Sequence, residues 1–192
     1  MGRADDACRN AAVGTFTRRY HVAVTPLAAV RGTMLLATVA WALGEAMMRR
    51  QPEFDRLART IWTAGISLAL VHVFLAFQFV YGWEHDAAIE ATTRQTAEVV
   101  DLRFRGGIFV NYVFLLIWLA DVCWWWLSQE SHASRSRRLE LGRLALFAFM
   151  FFNGAIVFAS GPGRWIGVAS LALVLVTSVA HRLPADPASC SF

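Results

Sequence analysis

Residues 61–82 read IWTAGISLALVHVFLAFQFVYG, a run with no Asp, Glu, Lys or Arg. At a helical rise of about 1.5 Å per residue it covers roughly 30 Å, the thickness of a bilayer's hydrocarbon. In lipid every backbone N–H and C=O must be satisfied within the segment, so such a run is read as a helix. The same reading holds for Gly106–Leu127, where Asp121 is the only charge. Further spans are predicted from about Arg143 to Ser160 and from about Arg164 to Ala180. The run from about Leu27 to Met48 is weaker. Arg31 and Glu45 interrupt it and leave only 13 residues, Gly32–Gly44, free of charge. A crossing needs about 20, so spanning requires both charged side chains to snorkel to the interfaces. The expected fold is all-α: a multi-pass transmembrane helix bundle of five spans, with four spans plus an interfacial N-terminal helix as the alternative. Composition agrees, since 57% of the residues are hydrophobic and mean hydropathy is +0.45.

The expected organisation is a polar N-terminal tail over 1–26, a helical bundle over 27–182 and a C-terminal tail over 183–192. Pro184 and Pro187 mark that last tail as disordered. Pro26 is placed in the first turn of helix 1, where a missing N–H costs nothing. The first 26 residues contain no apolar h-region, so no cleavable signal peptide is expected and helix 1 serves as the targeting signal. Neither strand-like alternation nor an inverted repeat is visible.

All 18 basic residues are arginine, and the formal charge is +4. The arginines gather at the ends of apolar runs, not on one basic face. They read as topology signals and headgroup contacts, and no nucleic-acid partner is expected. Connectors 49–59 and 128–143 carry four arginines each, against three in 83–105 and one, Arg164, beyond helix 4. The positive-inside rule then places 49–59 and 128–143 in the cytoplasm and 83–105 outside, in a bacterial-type inner or plasma membrane. Five spans put the N-terminus outside, against the sense of Arg18 and Arg19. Cys8, Cys123 and Cys190 make no CxxC, and no disulfide framework or zinc site is expected. No P-loop, dinucleotide fingerprint, GxSxG or CxxCH occurs, so no cofactor, metal or catalytic set is assigned.

Depth sorts the polar residues of the spans into layers. Gln78, Asn111 and Tyr112 fall near the outer side, His72 and Asn153 in the middle, and Asp121 with Glu45 near the inner side. A carboxylate in a span costs about 2.5–3.5 kcal/mol on insertion scales, so Asp121 needs a partner or a wet cavity. It reads as a proton-relay or cation site, or as a structural carboxylate near the inner interface, paired with an arginine or hydrogen-bonded to a neighbouring helix. His72 has no second histidine at its depth, which argues against a bis-histidine haem. A satisfied interhelical hydrogen bond, for example to Asn153, is expected instead.

In Trp83–Arg105, Asp86, Glu90, Arg94 and Glu98 recur every four residues. On a helix they form one stripe with Glu90–Arg94 and Arg94–Glu98 ion pairs. The segment reads as an amphipathic, salt-bridged lid over the outer mouth. His85, Asp86 and Glu90 are the metal or acid–base alternative there, without the paired histidines of HExxH. Gly106–Gly107 marks a bend into helix 3. Trp124–Trp126, Trp83 and Trp165 read as interfacial belts. Gly163 and Gly167 form a GxxxG for close packing, within the chain or with a second copy or partner subunit. The expected role is a non-enzymatic accessory or scaffold subunit in the lipid bilayer. The alternatives are a small proton-coupled carrier using Asp121, His72 and Asn111, or an enzyme with its site under the 83–105 segment.

Overall fold

The structure is a computed structural model that describes residues 3–49, 55–157, 159 and 161–180. The expected C-terminal tail, 183–192, lies outside the described residues. The described residues form seven α-helices: α1 (Arg3–Met48), α2 (Asp55–Ala76), α3 (His85–Val100), α4 (Gly107–Leu127), α5 (Gln129–Ala133), α6 (Arg137–Phe152) and α7 (Pro162–Ala180). A π-helical turn extends α2 over Phe77–Tyr81 and another extends α6 over Asn153–Val157. No strand occurs among the described residues. Among the described residues five helices are long and apolar enough to cross a membrane: Pro26–Met48, Asp55–Tyr81, Gly107–Leu127, Arg137–Val157 and Pro162–Ala180. The fold is thus the five-span helical bundle.

Three boundaries depart from expectation. Helix α1 begins at Arg3, so Pro26 lies inside it and not in its first turn. Helix α2 starts at Asp55, six residues before the apolar run 61–82. Helix α6 starts at Arg137, with the Ser136 side chain capping the Leu139 N–H at 3.4 Å. These shifts carry Arg59 and Arg143 out of the connectors and into helices.

The spans form a ring: α1 packs on α2, α2 on α4, α4 on α6, α6 on α7, and α7 back on α1. Inside the ring is an aromatic core. Trp41 of α1 stacks on Phe151 of α6 at 4.6 Å, and Trp62 of α2 stacks on Phe147 of α6 at 5.2 Å. Trp118 of α4 meets Phe147 edge-on at 5.2 Å. Offset-stacked and edge-to-face pairs are the arrangements aromatic quadrupoles favour. Glycine makes room for the indoles. A Cβ on Gly65 would sit 2.6 Å from the Trp118 ring, and one on Gly44 would sit 2.9 Å from the Trp62 ring.

The GxxxG of α7 is used for packing within the chain. Gly167 lies against Ala155 in the π-helical turn of α6, where a Cβ would come within 2.5 Å of the Ala155 carbonyl oxygen. Gly163 faces Leu35 of α1. Gly161 (φ +67°) makes the left-handed turn before Pro162 opens α7.

Helix α3 is the amphipathic segment, and it packs on α4. Asp86, Glu90, Arg94 and Glu98 all face outward, while Ala88 and Thr93 are buried. Thr92 fits against Gly107 at the start of α4, where a Cβ would meet it at 2.7 Å.

Candidate functional site

The densest polar constellation lies where α1, α4 and α7 end and α2 and α6 begin. Glu45, fully enclosed at 0% exposure, is its centre. One carboxylate oxygen accepts from Arg49 of the same helix at 2.5 Å, and the other accepts from Arg143 of α6. Glu45 therefore does not snorkel, as its place in helix 1 suggested. It is buried and held by charge-assisted hydrogen bonds, the strong class. The register explains this. Once α6 starts at Arg137, Arg143 falls on the inward face and lies over the Trp62 ring, 5.0 Å from its centroid.

Asp121 is 7% exposed and shares the same end. Its Oδ2 accepts from the Trp62 indole N–H at 2.9 Å. Its Oδ1 lies 3.3 Å from His132 Nε2, which comes from the short helix α5. Arg143 is also near enough to act on Asp121 electrostatically. The inner layer of Asp121 with Glu45 is thus present, joined through Trp62 and Arg143.

The His132 imidazole is stacked on Trp125 at 4.7 Å, with Arg135 Nη1 3.0 Å from Nδ1. Burial, followed by the nearby Arg143, holds the Arg135 guanidinium below its ordinary value. Arg59 of α2 is buried as well. Its Nη1 lies 3.5 Å from the Trp125 carbonyl, and the Gln129 amide, turned oxygen-first, accepts from its Nη2 at 2.7 Å. Its guanidinium sits over Trp126 at 4.2 Å.

The tryptophan triplet is accordingly not a uniform interface belt. Trp125 is buried against His132, whereas Trp126 is exposed and donates to Thr63 at 3.0 Å. Trp124 donates to Ser131 at 3.1 Å. Trp83 and Trp165 are exposed, in keeping with belts.

The other layers do not assemble as expected. His72 does make an interhelical hydrogen bond, but its Nδ1 meets the Val30 carbonyl of α1 at 2.8 Å and not Asn153. Asn153 donates to the Phe149 carbonyl of its own helix at 2.8 Å. Gln78 accepts from Trp83 Nε1 at 3.0 Å rather than meeting Asn111, whose side chain is exposed. Tyr112 instead meets the lid: its hydroxyl is 3.3 Å from His85 Nδ1, and the two rings stack at 5.9 Å.

On α3 the expected Glu90–Arg94 and Arg94–Glu98 pairs are replaced by one exposed pair, Arg103 with Glu90 at 3.6 Å. Asp86 and Glu90 are exposed, and His85 turns to Tyr112. Among the described residues no three His, Cys, Asp or Glu side chains are grouped as a metal site requires.

Sequence reasoning missed Arg59, His132 and Arg143. Two acids assigned to the inner layer called for cations at equal depth, and Arg143 at the predicted start of helix 4 was the available signal. His132 gave none, since a connector histidine looks solvated. Compared with known proteins, the chain matches no family model, no curated protein and no solved structure.

Proposed function

We propose that this protein is a non-enzymatic integral membrane protein, an accessory or scaffold subunit whose buried polar residues fix one arrangement of helices. One observation carries the reading: the ionisable groups set into the polar end are each held by the protein itself. Glu45 has Arg49 and Arg143, Asp121 has Trp62 and His132, and Arg59 has Gln129 and the Trp125 carbonyl. A carrier instead needs such groups to face a shared wet path, because a transported ion must reach and leave them. His72, spent on Val30, and Asn111, exposed on α4, stand apart from Asp121. With Gly163 and Gly167 occupied inside the chain, a partner subunit is expected on another face. The arginine distribution supports a plasma or bacterial inner membrane, with the polar end cytoplasmic and α3 outside.

Reconstitution tests the proposal. Proteoliposomes loaded with a pH-sensitive dye should collapse an imposed pH gradient no faster than protein-free liposomes. Protein drawn from its native membrane in mild detergent should run as a defined complex with another membrane polypeptide. A proton flux that disappears in Asp121→Asn would instead establish the carrier reading, for which the Asp121–His132 pair is the specific support.

A further inference from the structure

The geometry points to a binding site for the phosphodiester headgroup of an anionic phospholipid, in a cleft at the polar end of the bundle. The cleft has a volume of about 510 Å³ and lies between the ends of α1 and α7 and the beginning of α6. Arg49, Arg135 and Arg137 supply its cationic wall. Leu141 and Leu144, one and two turns further along α6, supply an apolar wall, and Ser178 of α7 closes the far side.

Charge balance argues for an anion. Three arginines line the cleft, Arg49, Arg135 and Arg137, against one carboxylate in its wall, Glu140, and one behind it, Glu45, which Arg49 shares with Arg143. The wall keeps positive charge in surplus, which suits a phosphodiester. Among the described residues the buried Arg135 Nε–H has no acceptor, a state it shares with the Nε–H of Arg59 and Arg143. A guanidinium with donors to spare suits the fork geometry that phosphate oxygens accept.

The apolar wall decides the source of the phosphate. A free phosphate ion gains nothing from Leu141 and Leu144, whereas a glycerophospholipid lays its glycerol and first methylenes there. The depth fits as well, since the cleft opens where the apolar spans give way to the charged connectors. Basic pockets between helix ends are the usual seats of anionic lipid headgroups.

The full chain in neutral detergent tests this. Phosphatidylglycerol added to the micelles should raise the melting temperature by about 3 °C or more, the scale set by ligand linkage in a chain of this size. Phosphatidylcholine and inorganic phosphate at the same concentration should not. Arg137→Gln changes an exposed residue and leaves the Glu45 and Asp121 pairs untouched. It should at least halve the phosphatidylglycerol shift, while Arg138→Gln, equally exposed but outside the cleft, should keep it. An equal shift from inorganic phosphate would make this a plain anion site and overturn the lipid assignment. A shift that survives Arg137→Gln, or no shift at all in the wild-type chain, would overturn the site.

Discussion

Glu45 sits on one of the two least apolar spans, yet among the described residues no side chain is more completely enclosed. Burying one carboxylate between Arg49 and Arg143 ties the last turn of α1 to the second turn of α6. Such a pair adds little net energy over an apolar filling, but losing one partner strands a charge. Glu45→Ala is therefore expected to cost about 3–5 kcal/mol, read as a lower midpoint in thermal unfolding followed by tryptophan fluorescence. Glu45→Met combined with Arg143→Met should recover at least half of that loss, because neither charge is then left in the interior. Arg49, whose side chain is 9% exposed at the helix end, can reach the interface along its alkyl stem in both variants. A double variant as unstable as the single one would mean that Arg143 is held chiefly by something other than Glu45.

At the scale of the helix, the glycines separate packing from propensity. Gly65 gives α2 its close approach to Trp118, and Gly142 on α6 has no atom within 4 Å of where a Cβ would stand. Gly65→Ala should destabilise by about 1–3 kcal/mol through overpacking. Gly142→Ala should be neutral or stabilising by up to about 1 kcal/mol, since only the helix propensity changes. Equal effects on the thermal midpoint would show that the indole at Trp118 moves aside freely.

The same contrast explains what the sequence made legible. Hydropathy located all five spans and the amphipathic α3, because long apolar runs and a four-residue charge stripe are one-dimensional signals. It could not tell which way a charge at the end of a run points. Arg59 and Arg143 look identical to headgroup-facing arginines until the helix starts are known, and those starts lie in polar sequence that hydropathy ignores. Trp125 was read as belt for the same reason: an indole at that depth suits lipid and protein alike, and only the stacked His132 distinguishes them. The layers failed at His72 and Asn153 because depth brings residues level without turning them toward each other.

For the whole molecule, orientation is the property on which the buried cluster bears most directly. Arg59 and Arg143 belong to the two arginine-rich connectors by sequence but to the bundle interior by structure. Removing them leaves the charge bias between the two faces narrower than the bare count implies. Six arginines still stand in the connectors 49–59 and 128–143, against four on the α3 face. Helix α1 packs between α2 and α7 as a full member of the ring, so its two ends lie on opposite faces. Single cysteines in a background lacking the native ones can settle the direction. Glu98→Cys, exposed on α3, should react with a membrane-impermeant maleimide applied to intact cells. Arg138→Cys, exposed on α6, should react only after the membrane is permeabilised. A variant that keeps Cys123 as its single cysteine, exposed on the apolar length of α4, should stay unlabelled in both conditions. If instead Arg138→Cys is labelled in intact cells and Glu98→Cys is protected, the bundle is inverted. The Glu45–Arg143 pair would then lie at the outer end, and the lipid cleft would open on the outer leaflet.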